Sequence, residues 1–133
     1  HSEVHVLSDQ YGGIVPYLFY DDVEHALDWY SDMFGFKEIG RWTDDQGKVH
    51  NAEMKVGNSE IWLDGSGRLK IDDDRPLWVG VWVEDVDAIY DRLRAKGVAC
   101  EKPVTREFGV RMLNVEDGMG HLWGFVRRVE GPR

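Results

Sequence analysis

The 133-residue chain has one cysteine, Cys100. That excludes an internal disulfide framework and any multi-cysteine zinc site, and makes a small buried apolar role the expectation for Cys100. No apolar run approaches the roughly 20 residues of a membrane-crossing helix. The leading segment lacks the basic-then-apolar layout of a signal peptide, so the expectation is a cytoplasmic protein with no membrane partner. Positive charge is scarce in one half only. Residues 1–66 hold 4 Lys and Arg against 13 Asp and Glu, residues 67–133 hold 12 of each, and the net charge of −9 therefore lies wholly in the first half. Such a field repels nucleic acid and attracts a cationic small molecule or a basic partner. No serine has a convincing base beside it, and no glycine-rich phosphate loop is present, so no catalytic residue is assigned.

What the chain does have is a folded-protein composition, 42% hydrophobic and 31% charged with six tryptophans, and an internal repeat. VPYLFYDDVEHALDWYSDMFGF from Val15 matches WVGVWVEDVDAIYDRLRAKGV from Trp78 at a constant shift through the first helix, so that Asp22 falls on Asp85 and Val23 on Val86. Each copy reads as strand, capped helix, glycine, strand. Residues 14–20 and 77–83 are short β-branched and aromatic runs. Asp22 and Asp85 suit the N-cap, where a carboxylate accepts from free amides of the first turn. Val23, Ala26, Leu27, Tyr30 and Phe34 follow helical spacing, as do Val86, Ile89, Tyr90 and Leu93. Gly35 and Gly97 stand where a left-handed helix cap is needed.

Three further strands are predicted after each helix: 36–43, 49–56 and 59–63 in the first copy, and 98–101, 108–115 and 121–128 in the second. The chain thus reads as a single domain of α+β class. Two βαβββ modules, about 14–64 and 77–128, flank a Gly-, Asp- and Arg-rich linker at 65–76.

Paired modules of this size, with DDVEHALDWYSDMFGF near the start and DGMGHLWGF near the end, resemble the vicinal oxygen chelate superfamily of glyoxalases, bleomycin-resistance proteins and dioxygenases. The resemblance covers about residues 14–128. It implies a curved, cup-shaped mixed sheet with helices on the convex face, and a homodimer whose clefts are lined by both chains. Metal-dependent members carry ligands at positions that correspond here to Val15, Trp62 (or Leu63 if the turn aligns one residue differently), Trp78 and Gly124, none of which offers an imidazole, carboxylate or thiolate donor. Neither a metal nor another cofactor is therefore expected. The His of the terminal Gly-His pair, here His121, is commonly a turn residue in this family.

The former ligand positions fix the phase of each strand, because side chains alternate between faces. Tyr17 and Phe19, Glu60, Trp62 and Asp64, and Trp78 and Trp82 then face the cavity, with Gly80 and Gly124 leaving room for a ligand. Trp123 and Phe125 point to the core. Trp42, His50, Phe108 and Arg111 are candidates from neighbouring strands, and Glu60 and Asp64 could pair with a ligand cation. The resulting expectation is metal-independent binding and sequestration of a bulky planar aromatic molecule, such as an antibiotic, conferring self-resistance. A cationic group on that molecule would suit the acidic half. The alternative is a lyase, isomerase or dioxygenase of the same superfamily, metal-dependent or cofactorless, with Glu60, Glu53 or His50 as general base in the cofactorless case.

Overall fold

The computed structural model describes residues 12–67, 77–107 and 109–129. The chain divides into two compact units, His1–Asp72 and Asp73–Arg133, each holding one βαβββ module of an α+β fold. Module one runs β1 (Tyr17–Phe19), α1 (Val23–Met33), β2 (Lys37–Thr43), β3 (Val49–Val56) and β4 (Ser59–Asp64). Its sheet has the order β1-β4-β3-β2, with β1 parallel to β4 and the other pairs antiparallel. Module two repeats the plan with β5 (Trp78–Trp82), α2 (Val86–Ala95), β6 (Val104–Arg106), β7 (Val110–Glu116) and β8 (Leu122–Arg128), in the order β5-β8-β7-β6. Both sheets are mixed and neither is closed.

The helix signals act as read. Asp22 accepts from the His25 amide and Asp85 from the Ala88 amide, both at 3.0 Å, so each carboxylate satisfies a donor that the first turn leaves open. Gly35 and Gly97 take φ of 74° and 83°. The reversal lets the Phe36 amide reach the Tyr30 carbonyl at 3.2 Å and the Val98 amide reach that of Leu93 at 2.9 Å.

One strand lies elsewhere than predicted. The strand after α2 was placed at 98–101, but pairing begins only at Val104. The Val98 amide is consumed in closing the helix, and Pro103 has no amide to give a ladder.

Each sheet buries one face. In module one Leu18, Ala52, Met54, Ile61 and Leu63 pack with Val23, Ala26, Leu27 and Tyr30 of α1, all of them nearly inaccessible. In module two Leu113, Val115, Trp123 and Phe125 do so with Val86 and Leu93 of α2. Full burial of each Val, Leu, Ile, Met or Phe side chain among these stabilises by about 1.5–3 kcal/mol. Alternation leaves the opposite face of each sheet, called here the open face, to carry the residues with functional potential.

Candidate ligand-binding faces

In module one, Tyr17 and Trp62 are register partners on β1 and β4. Their rings meet edge to face, 5.6 Å apart at 86°. The Tyr17 hydroxyl accepts from Asn51 Nδ2 at 2.6 Å, and Trp62 Nε1 donates to Glu60 Oε1 at 3.1 Å. Trp42 is the cross-strand partner of Asn51 and is 54% exposed. Tyr17, Glu60, Trp62 and Trp42 thus share one face, with Asn51 as their polar connector. A small cleft of about 190 Å³ opens beside them, lined by Gly13, Ile14, Val15, Glu60 and Trp62.

Two residues assigned to this face are otherwise engaged. Asp64 is only 1% exposed. Its Oδ1 accepts from the Ser66 amide at 3.0 Å and the Ser66 hydroxyl at 2.7 Å, so the carboxylate organises the chain leaving β4 instead of meeting solvent. Phe19, its register partner, is half-buried. His50 lies at a register irregularity in the β2–β3 ladder, between the pairs Thr43–Val49 and Trp42–Asn51. Its Nε2 is bonded to Asp44 Oδ2 at 2.9 Å. Asp44 also accepts from the Lys48 and Gln46 amides at 2.9 and 2.8 Å. These bonds, the Lys48 amide's foremost, hold its carboxyl below the usual range. His50 is thereby tied to the β2–β3 turn.

Module two presents a different surface. At the register occupied by Tyr17 and Trp62 in module one, it has the facing glycines Gly80 and Gly124. The indole of Trp78 lies across both. A Cβ at Gly80 would come within 2.6 Å of the ring, and one at Gly124 would overlap it. The space attributed to a ligand from sequence is therefore filled by the protein's own tryptophan. Trp78 Nε1 donates to Asn114 Oδ1 at 3.0 Å. An indole N–H can only donate, so this bond fixes the amide orientation and keeps the NH₂ of the exposed Asn114 as a donor. The ring stays 45% exposed. Trp82, on the same face, is 64% exposed, with the Arg128 guanidinium 5.3 Å from its ring centre.

Arg111 points elsewhere than predicted. Its guanidinium makes a two-pronged pair with Asp87 on α2, at 2.8 and 2.7 Å, and a third bond to Thr105 Oγ1 at 3.0 Å. The pair lowers the Asp87 pKa and raises that of Arg111. Residue 111 alternates with Met112 and Asn114, which places it on the helix-bearing side of β7. Phe108 lies outside the described residues.

His121 belongs to a buried turn. Asp117 Oδ2 bonds to His121 Nδ1 at 2.9 Å and to Trp123 Nε1 at 3.0 Å, while Oδ1 accepts from the Met119 and His121 amides at 2.7 and 3.2 Å. A cleft of about 290 Å³ adjoins it, lined by Leu77, Glu116, Gly118, Gly120, His121 and Leu122. The sequence reading missed Asn114 and Arg128. Asn114 was discoverable as the polar residue alternating with Met112 and Glu116 on the strand facing the glycines of β8.

The site chemistry does not fit a divalent ion. Val15, Trp62, Trp78 and Gly124 offer no metal donor, and among the described residues no three His, Cys, Asp or Glu side chains are placed to hold a metal. Nor is any helix among the described residues long and apolar enough to cross a membrane.

The model of the Glyoxalase/Bleomycin resistance protein/Dioxygenase superfamily matches residues 5–125, and the chain belongs to that superfamily. Among solved structures it is similar to TioX from Micromonospora sp. ML1, with 29% identity and a TM-score of 0.75 over 87% of this chain and 98% of that one. The bleomycin resistance determinant encoded on transposon Tn5 shares the fold, at 16% identity and a TM-score of 0.68 over 86% of this chain and 96% of its own. An uncharacterised protein of Mycobacterium bovis is 26% identical over 124 residues, covering 86% of this chain and 82% of its own length.

Proposed function

We propose that this protein binds a planar aromatic small molecule without a metal ion and sequesters it unchanged, as a resistance protein does. The observation that carries the reading is the Trp78 indole, laid across Gly80 and Gly124, fixed by Asn114 and still open to solvent on its outer face. A ring held in place beforehand loses little freedom when a ligand stacks on it, so stacking is retained as affinity. Each good ring pair contributes about 0.5–1.5 kcal/mol beyond area burial. Trp82 and the Tyr17–Trp62 pair extend the aromatic surface available on the two open faces. Membership of a superfamily that includes bleomycin resistance proteins, and the fold shared with a bleomycin resistance determinant, support the resistance role.

The proposal includes association of two copies. Ile14, Val15 and Tyr17, at or just before edge strand β1, leave 78%, 40% and 42% of their surface uncovered, apolar area that a second copy would shield.

Tryptophan fluorescence titration against planar antibiotics, bleomycin included, tests the reading. Saturable quenching is expected, with the ligand recovered chemically unaltered and affinity lowered about tenfold by Trp78→Ala and less by Trp62→Ala, both variants remaining folded. Absence of quenching by every member, or conversion of the ligand to product, refutes it. Sedimentation of the free protein as a monomer at micromolar concentration removes the dimer.

A further inference from the structure

The acidity of the first half suggested a cationic ligand, but most of its described carboxylates lie away from the open face where such a ligand would bind. Asp21, Asp22, Glu24, Asp28 and Asp32 lie on or next to α1 and are all exposed, while the buried side of that helix takes the sheet. Glu38 is held by Arg41 at 2.8 and 2.7 Å, Asp44 by the β2–β3 turn, and Asp64 by Ser66. On the open face of module one this leaves Glu53, the register partner of Trp62, and Glu60, which accepts from Trp62 Nε1 and has Lys55 as its own register partner. Two carboxylates, one of them opposite a lysine, thus border the aromatic pair of module one, and the rest of the described acidity of that half lies elsewhere.

The open face of module two is organised in cross-strand rows. Trp82, Val126, Met112 and Val104 form an apolar row across all four strands. On one side lies the row of Gly80, Gly124 and Asn114, roofed by Trp78. On the other lies the row of Arg128, Val110 and Arg106. The polar groups that border the apolar row are thus donors, the Asn114 NH₂ and the guanidinium groups of Arg128 and Arg106, while the carboxylate of this face, Glu116, stands a row further off at the far end of the Trp78–Leu122 row. Neither arginine forms an ion pair among the described residues, in contrast to Arg111, which Asp87 occupies. Arg128 also stands over Trp82, so a second cation stacking on that ring would meet like charge. Donors on both sides of an apolar row that starts at Trp82 call for acceptors on the ligand, and an arginine fork matches a carboxylate geometrically.

We infer that the open face of module two selects planar aromatic acids, with the ring on Trp78 and Trp82 and the anionic group on Arg128, assisted by Arg106. This inference rests on the aromatic-binding reading above and specifies its ligand class. Calorimetry with three probes of one ring size tests it: 2-naphthoate, 2-naphthamide and 2-naphthylmethylammonium, each titrated into the full chain at low and at physiological salt. The carboxylate is expected to bind at least about tenfold more tightly than the ammonium, with the amide between them and the gap narrowing as salt rises. Arg128→Gln is expected to bring carboxylate and amide to within about threefold of each other, and Arg128→Lys to restore part of the difference. Ammonium binding as tight as carboxylate binding, or an unchanged preference in Arg128→Gln, overturns the inference while leaving aromatic binding intact. Failure of all three probes, and of the larger planar panel, overturns the reading beneath it instead.

Discussion

Where β1 meets β4 in module one, the open face carries Tyr17 against Trp62; where β5 meets β8 in module two, the same register carries Gly80 against Gly124. The two repeats have thus solved one packing problem in opposite ways. In module one both strands contribute bulk, the rings lock edge to face, and their polar atoms are satisfied locally by Asn51 and Glu60. In module two the strands are bare at that point, and bulk arrives from Trp78, two residues earlier on β5. That displacement turns a ring wedged between neighbours into a ring spread over backbone. Only the second arrangement offers a broad, fixed π face to solvent, which is why the binding reading rests chiefly on module two.

The turns that close β3–β4 and β7–β8 also differ, and the largest expected effect lies there. Module one closes with Gly57 and Asn58, whereas module two builds its turn on Asp117, whose carboxylate is fully enclosed. Asp117→Ala would leave the His121 and Trp123 ring N–H groups and two backbone amides without their acceptor. Each buried donor so stranded costs about 1–3 kcal/mol, so a loss of about 3 kcal/mol or more is expected by urea denaturation. Asn58→Ala, at the other turn, should stay within about 0.5 kcal/mol. Equal losses in the two variants would remove the distinction between the turns.

Next in size is the platform itself. Gly124→Ala puts a methyl where the Trp78 ring lies, and because that ring is partly exposed it can swing away at modest cost to folding. The expected outcome is loss of the Trp78–Asn114 bond, a changed near-ultraviolet dichroism spectrum, and aromatic-probe affinity lowered about tenfold. Gly40→Ala is the module-one control, since its Cβ would meet only ordinary contact with Trp42 at 3.7 Å. If Gly124→Ala binds aromatic probes as the parent does, the platform is not the binding element.

These differences mark what could be read from sequence. The repeat, the Asp caps and the glycine reversals are local, and each acts within a few residues of where it was read. Strand phase was also legible: Leu18 is buried between the less buried Tyr17 and Phe19, and Trp123 and Phe125 pair with the core residues Val115 and Leu113 of β7. What alternation cannot supply is the partner of a polar group. Asp64 and Arg111 were ranked as available to a ligand, yet Ser66 and Asp87 take them, and Asp87 is 24 residues from Arg111 in sequence. The glycines were read correctly as small positions, but which side chain fills the space depends on a χ rotation of Trp78 and an acceptor 36 residues away.

The smallest expected effect compares how each helix is pinned to its sheet. Arg41 of β2 bonds to Glu38 and reaches Glu24 in the first turn of α1 at 3.3 Å, while Arg111 of β7 grips Asp87 in the first turn of α2. Hydrogen bonds from the arginines are the main reason that Glu38 and Asp87 have lowered pKa values. A carboxylate whose pKa is lower in the folded than in the unfolded chain stabilises the fold above the unfolded value, about 4, and loses that contribution as pH falls through the folded value. Arg41→Gln and Arg111→Gln should therefore lower Tm by about 1–2 °C near pH 7, as partly exposed pairs do, with each difference shrinking on acidification below pH 4. Of the two, Arg111→Gln should be the larger, because the Arg111 pair bridges strand and helix directly whereas the shortest contacts of Arg41 are to Glu38 on its own strand. A Tm difference that grows on acidification would contradict the sign of both pairs. A larger loss from Arg41→Gln would shift the helix anchor to module one.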